Sequence, residues 1–104
     1  MKKTTVKIEK PILIAGKEVS EICLRSSTVG DEEDAMQQAV QLKRSKNNVT
    51  IELCLFAKLT RIPYDVLRTL QGPDYQKLRD ALNEMNGAAA DAEEDENPLP
   101  QTTG

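Results

Sequence analysis

Two helix-breaking sites, at Pro63 and at Gly72-Pro73, divide the C-terminal half of this chain into short segments. A helix that approaches Pro63 from the N-terminal side must end just before it, because proline constrains the preceding residue and lacks a backbone donor. Gly72 suits the end of a helix, and Pro73-Asp74 suits the first turn of the next one. The pattern predicts a short helix over residues 63–70 and a longer helix from residue 73.

The longer helix is expected to end at Gly87. Its apolar side chains recur at spacings of three and four, as on the buried face of a helix: Tyr75, Leu78, Leu82 and Met85. From residue 88 the sequence becomes alanine-rich and acidic, and only Leu99 could add substantial apolar burial. We therefore predict a disordered acidic tail over residues 88–104.

A further helix is predicted from Asp31 to about Lys43. It opens with Asp31-Glu32-Glu33-Asp34, where the positive end of a helix dipole stabilises carboxylates. Consecutive residues point around a helix, so these four side chains are not expected to converge on a metal ion. The apolar stripe is thin: Ala35, Met36, Ala39, Val40 and Leu42.

Residues 47–62 fit either a strand or a helix. Val49, Ile51, Leu53 and Leu55 alternate as in a strand, but the apolar run continues to Ile62 without a turn, which exceeds an ordinary strand. Asn47 or Asn48 also offers a helix N-cap. We predict a helix that Pro63 ends.

The N-terminal quarter predicts strands. Val6 and Ile8 alternate with charged residues, the run over residues 12–14 is apolar, and residues 15–18 suit a turn. Pro11 would interrupt a central ladder, so its strand is expected to be an edge strand or to break there. The predicted fold class is therefore α+β: a small hairpin or three-stranded meander over residues 4–25, followed by three to four helices.

Charge and composition limit the chemistry. Residues 1–87, the predicted single domain, hold all 14 basic and 12 of the 17 acidic side chains, so this part carries +2 and the tail carries −5. The absence of histidine removes the commonest general base and the mixed Cys/His zinc sets. Cys23 and Cys54 lie in apolar sequence and are expected to be reduced core residues. Because the sequence shows no signal peptide or membrane span, we expect a cytoplasmic protein. We also expect it to be non-enzymatic and to hold no cofactor or metal.

The most apolar segment is the candidate partner-binding surface. Its helices present more large apolar side chains than one thin domain need cover, and six are predicted to contact a partner: Leu53, Leu55, Phe56, Leu59, Leu67 and Leu70. The plainer interpretation is that these residues form the core between the hairpin and the helices.

The rival function is a small helix-turn-helix-like DNA-binding regulator, formed by the helices within residues 48–86. The charge of the last of these helices argues against this function. Residues 74–86 contain three acidic side chains, Asp74, Asp80 and Glu84, and two basic ones, Lys77 and Arg79, so no basic face is left for phosphates. An enzyme is the third option, supported only by generic carboxylates.

Several segments in order resemble the tail assembly chaperone family of Mu-like phages and prophages. The N-terminal ones are Lys10-Pro11-Ile12, Gly16-Lys17-Glu18-Val19 and Ile22-Cys23-Leu24-Arg25. The later ones are Leu59-Thr60-Arg61-Ile62-Pro63 and Leu67-Arg68-Thr69-Leu70, followed by Asp74, Tyr75 and Leu78. The resemblance covers roughly residues 8–86 and rests on the order of these elements.

The resemblance implies a non-virion factor in the bacterial host cytoplasm that coats the long, largely helical tape measure protein. It would keep that partner soluble while tail tube subunits polymerise around it. Helical apolar faces can bind an amphipathic partner helix, and many weakly bound copies would act together by avidity. A longer frameshifted form would reach the tail tube protein, and a homo-oligomer is a further option. Neither nucleic acid nor membrane is an expected partner.

Overall fold

The computed structural model describes the backbone of residues 2–96 and the side chains up to residue 87. Strands β1 (Lys3–Ile14) and β2 (Lys17–Arg25) come first. Four helices follow in the described residues: α1 (Val29–Gln41), α2 (Asn48–Thr60), α3 (Tyr64–Leu67) and α4 (Gly72–Glu96). The predicted α+β class is confirmed. Within the described residues the sheet has two antiparallel strands, so the hairpin forms and the three-stranded alternative does not.

The hairpin turn lies at Ala15 and Gly16, as the sequence predicts. Both residues have positive φ, 52° and 80°, and they separate the paired residues Ile14 and Lys17. Two consecutive left-handed residues give the twist that a two-residue hairpin connection requires, and glycine adopts this conformation without a steric penalty.

The ladder between β1 and β2 is interrupted next to Pro11. Lys7 pairs with Glu21 and Ile12 pairs with Val19, so β1 has four residues where β2 has one. Only the ladder is interrupted: β1 stays one strand, so the alternative in which it breaks at Pro11 is wrong. Because the sheet has two strands in the described part of the chain, both are edge strands, which confirms the predicted edge position. A residue without a backbone donor is tolerated there.

The core lies between one face of the hairpin and helices α2, α3 and α4. Phe56 of α2 is fully buried, and its ring meets that of Tyr75 in an edge-to-face contact with centroids 5.7 Å apart. The hairpin and α4 supply most of the remaining large buried side chains: Val6, Ile8, Ile12, Ile22, Leu24, Leu78, Leu82 and Met85.

Capping fixes where the first two long helices begin. Thr28 caps α1, because its hydroxyl accepts from the Asp31 amide while the Asp31 carboxylate accepts from the Thr28 amide. The Asn47 side chain caps α2 by accepting from the amides of Val49 and Thr50, at 2.9 and 3.1 Å. The helical interpretation of this ambiguous segment is therefore confirmed.

Helix α4 does not end at Gly87, so that prediction is wrong. The helix continues through residues 88–96, part of the stretch predicted to be disordered. These residues are mostly alanine and glutamate, which favour helix, and a glycine inside a helix costs only about 1 kcal/mol. Residues 97–104 of the predicted tail lie outside the described residues, and the division into a domain of residues 1–87 and a tail stays a prediction.

The two cysteines differ in burial. Cys54 is fully buried, as predicted, but Cys23 is exposed, so its assignment to the core is wrong. Cys23 lies between Ile22 and Leu24, whose side chains both face the core, and alternation along a strand turns the intervening side chain outward. Both thiols are free.

Candidate interaction surface

An apolar groove between α1 and α2 is the first candidate for partner binding. It encloses about 260 Å³, and two glutamates stand among its polar lining residues. We call it the α1–α2 groove, and its lining residues are Glu32, Ala35, Met36, Asn48, Ile51, Glu52 and Leu55. Met36, which lines the groove, is 55% exposed, and Val40, four residues further along α1, is 59% exposed. The apolar surface therefore extends beyond the groove.

Two alanines determine how α1 is oriented. Among the elements within residues 2–96, α1 packs against α2, and it does so through the buried Ala35 and Ala39. Small side chains allow the two helices to approach closely. The neighbouring larger residues, Met36 and Val40, are consequently left at the surface instead of completing the core.

A carboxylate network holds the N-terminal end of α1 in place. Arg25 at the end of β2 donates from both terminal nitrogens to Asp31, over 2.7 and 2.9 Å. Lys58 of α2 bonds to Asp34 and lies 3.9 Å from Asp31. The hydrogen bond from Arg25, helped by those from Thr28, holds the pKa of the Asp31 carboxyl well below its usual range. The charged network thus ties α1 to both β2 and α2.

A second, smaller groove lies on the other side of α2. It encloses about 150 Å³, and we call it the α2–α4 groove. Its lining residues are Val49, Leu53, Leu67, Arg68, Leu70, Gly72 and Tyr75. The Tyr75 hydroxyl donates to Glu52, and burial together with this bond raises the pKa of Tyr75. Val49, at 55% exposure, is the most open apolar residue on this side.

The six predicted contact residues fall into two groups. Four are buried in the core: Leu53, Phe56, Leu59 and Leu67. Leu55 and Leu70 are only partly buried, and they line the α1–α2 groove and the α2–α4 groove respectively. Contact between these six residues and a partner stays a prediction. Of the buried four, Leu53 and Leu67 also line the α2–α4 groove.

Sequence reasoning missed Met36, Val40 and Ile51 as candidates. The signal was available for the first two, because the α1 stripe alternates small alanines with larger apolar residues. A helix that packs closely through alanines leaves its bulkier neighbours outside. Ile51 lies in the same apolar run as Leu53 and Leu55, and nothing in the sequence pattern separates it from them.

Asp74 has a larger role than starting α4. Its carboxylate accepts from the backbone amides of Glu9 and Lys10, over 2.9 and 3.0 Å, at the point where the β ladder is interrupted. These two bonds, with the nearby Lys77, lower the pKa of Asp74. One buried side chain therefore satisfies the irregular part of β1 and fastens the hairpin to α4.

Two cations of α4 and the buried thiol of α2 are held by their surroundings. On α4, Lys77 lies 3.6 Å from Asp74, and Arg79 lies 3.3 Å from Glu52, so carboxylates already neutralise these two cations. This arrangement weakens the case for α4 as a DNA-recognition helix. Burial raises the pKa of the Cys54 thiol, which favours its unreactive protonated form.

Two kinds of feature are absent from the described part of the chain, residues 2–96. The described residues contain no group of three or more His, Cys, Asp or Glu side chains arranged to hold a metal ion. None of the helices in that part of the chain is long and apolar enough to cross a bilayer.

A family model matches most of this chain. The family model described as "Phage tail assembly chaperone proteins, E, or 41 or 14" matches residues 5–87. This range includes nearly all of the hairpin, helices α1 to α3 and the part of α4 that packs on the hairpin. Searches of curated proteins and of solved structures gave no significant match.

Proposed function

This chain belongs to the phage tail assembly chaperone family, and on that premise we propose that it binds the tape measure protein of its phage. In this proposal the chaperone covers apolar faces of that long helical partner and keeps it soluble. Tail tube subunits then displace the chaperone as they assemble around the tape measure protein.

The α1–α2 groove is the observation that carries the proposal. An amphipathic helix binds by placing side chains spaced at three, four and seven residues into an apolar groove of a partner. At about 260 Å³ the groove is smaller than most small-molecule sites, which enclose roughly 300–1,000 Å³. Its size and openness suit a few protruding side chains of a helix better than an enclosed ligand.

The proposed contact residues are those that a partner can reach without opening the core. In the α1–α2 groove they are Met36, Ile51 and Leu55, with Val40 as an extension along α1. Leu70 and Val49 offer a smaller, secondary contact on the α2–α4 groove. A single shallow groove gives weak binding, so many copies along one tape measure protein are needed for stable coverage.

The location follows from the role. Tails assemble inside the infected bacterium, so we propose that the chaperone acts in the host cytoplasm and is absent from the finished virion. A longer frameshifted product that binds the tail tube protein is a further part of the proposal, with the acidic segment after Gly87 as the junction.

Co-expression with the tape measure protein of the same phage tests the proposal. The full-length chaperone is expected to make the tape measure protein soluble and to co-purify with it in several copies. In the variant M36K/V40K both substituted positions are more than half exposed, so the fold should be retained while the apolar surface becomes charged. We expect this variant to lose co-purification.

Two matched variants separate the groove from a general effect of added charge. Leu13→Lys places lysine at a position that is 61% exposed on the hairpin, and Val49→Lys does so at a 55% exposed position on the α2–α4 groove. Leu13→Lys should behave as wild type, and Val49→Lys should weaken binding only modestly. An insoluble tape measure protein beside well-folded wild-type chaperone would refute the proposed function. Equal loss in all variants would refute the α1–α2 groove as the site.

A further inference from the structure

The two ends of the α1–α2 groove carry opposite charge. Glu32 lines the groove near the start of α1, and the exposed Glu33 stands beside it. At the other end the loop between α1 and α2 contains Lys43, Arg44 and Lys46, all of them exposed. The groove and this loop meet at Asn48, which borders both.

The acidic end keeps a net negative charge after its ion pairs are taken into account. Asp31, Asp34 and Glu52 also lie near this end or on the rim, but each has a cation within 4 Å, supplied by Arg25, Lys58 or Arg79. Glu32 and Glu33 have no such cation among the residues whose side chains are described. Two carboxylates are thus available to a partner.

The basic end is equally open. Arg44 donates to the Tyr64 hydroxyl over 3.0 Å. This bond is not to a carboxylate, so the positive charge of the guanidinium is not neutralised. Lys43 and Lys46 make no ion pair within the described residues. Helix α1 rises about 14 Å from Glu32 to its last residue, Gln41, and the three positively charged residues follow in the loop beyond it.

We infer that this charge separation sets the direction in which a helix lies in the α1–α2 groove. The bound segment is an amphipathic helix of about three turns with basic side chains at one end and acidic side chains at the other. Its basic end lies against Glu32 and Glu33, and its acidic end lies against the loop of residues 43–46. The inference rests on the proposed function, since it takes the occupant to be a helical segment of the tape measure protein.

A fixed direction has a consequence for the coated partner. Each chaperone copy that binds a segment with the same charge order must point the same way along the tape measure protein. The coat would then have a polarity. Tube subunits that advance from one end would then contact the same face of every chaperone copy as they displace it.

Two synthetic peptides of identical composition can test the direction. Both carry the same apolar stripe and capped termini, but one has lysines in its first turn and glutamates in its last, and the other has the reverse order. Helix dipole effects make the second peptide more helical, so affinity alone is a poor measure of the charge order. The measurement is therefore the position of a nitroxide label at each peptide N-terminus, detected by broadening of amide signals of the full-length chaperone.

The label of the lysine-first peptide should broaden the signals of Glu32 and Glu33, and that of the glutamate-first peptide those of residues 43–46. The preferred direction should exceed the other by about fivefold to tenfold at ~0.1 M salt and fall to near equality at ~1 M salt. The chaperone variant E32K/E33K/K43E/K46E changes only exposed residues and should exchange the two patterns.

Three outcomes would overturn the inference. They are a label position that ignores the charge order, one that is unchanged in the charge-exchanged variant, or no binding of either peptide. None of these refutes the proposed function, because co-purification of the tape measure protein is measured separately. If co-purification persists while the peptides show no direction, the chaperone role stands and the groove is not oriented by charge.

Discussion

Replacing Asp31 by asparagine removes one negative charge from the network that joins β2, α1 and α2. The carboxylate accepts hydrogen bonds from both terminal nitrogens of Arg25 and from the Thr28 amide, and its side chain is only 9% exposed. Asparagine is nearly isosteric but offers one acceptor oxygen. Its amide nitrogen must therefore face one terminal nitrogen of Arg25 without a hydrogen bond, and in one of its two orientations it also faces the Thr28 amide.

The magnitude follows from these contacts. A hydrogen bond to a charged group contributes about 1.5–3 kcal/mol, and breaking a fully buried ion pair costs about 3–5 kcal/mol. The Arg25 side chain is 24% exposed, so water replaces part of what is lost. We expect Asp31→Asn to lower the free energy of unfolding by ~2 kcal/mol at neutral pH. In a domain of this size that corresponds to a fall in Tm of about 8–16 °C.

The effect of Asp31 depends on pH in a defined direction. Its pKa is lowered in the folded protein, so the unfolded chain binds the proton more readily. The stability it contributes is therefore fully present above about pH 4, the pKa range of an unfolded aspartate, and is lost as the pH falls through the folded pKa. Asp74 acts in the same direction, because its pKa is also lowered. Asp31→Asn should reduce the acid sensitivity of unfolding but not abolish it.

Urea unfolding followed by circular dichroism, at about pH 7 and about pH 3, measures both effects. The control is Asp34→Asn on the same helix, where the carboxylate is 55% exposed and paired with Lys58. It should cost about 0–1 kcal/mol, because exposed pairs contribute little. If Asp31→Asn costs no more than this control, or if its stability falls with acid as steeply as wild type, the reasoning about the network is wrong.

Three further results are expected. Phe56→Asp should unfold the domain, because the ring is fully buried, and loss of the helical circular dichroism signal would show it; a folded variant would contradict its core position. Asp74→Ala should speed hydrogen exchange at the Glu9 amide while the other end of the hairpin stays protected, and unchanged exchange would exclude the fastening role. A thiol reagent should modify Cys23 in the folded protein and Cys54 only after unfolding; equal rates would contradict their difference in burial.

Much of the fold was predictable because its boundaries are set by residues that act within one or two turns of chain. Pro63 and Gly72-Pro73 separate the last three helices, Asn47 caps α2, and Gly16 permits the hairpin turn. The error at Gly87 was also local, since the alanines and glutamates that follow it favour helix more than one glycine opposes it.

The candidate site was only partly predictable. Leu55 and Leu70 were identified from apolar periodicity, and both line grooves in the structure. Periodicity shows that a side chain lies on the apolar face of its helix, but not whether a second element covers that face. Four predicted contact residues are buried for that reason, whereas Met36 and Val40 were taken for an ordinary apolar stripe.

By itself, therefore, the sequence determined the order, type and most of the limits of the elements, since these depend on near neighbours along the chain. Tertiary structure decided which surfaces of those elements pack together and which stay exposed. Asp74 satisfies β1 amides more than 60 residues away, and Ala35 and Ala39 bring α1 so close to α2 that Met36 is left outside. Such outcomes depend on which surfaces meet in space, and nothing within a few residues of chain specifies that.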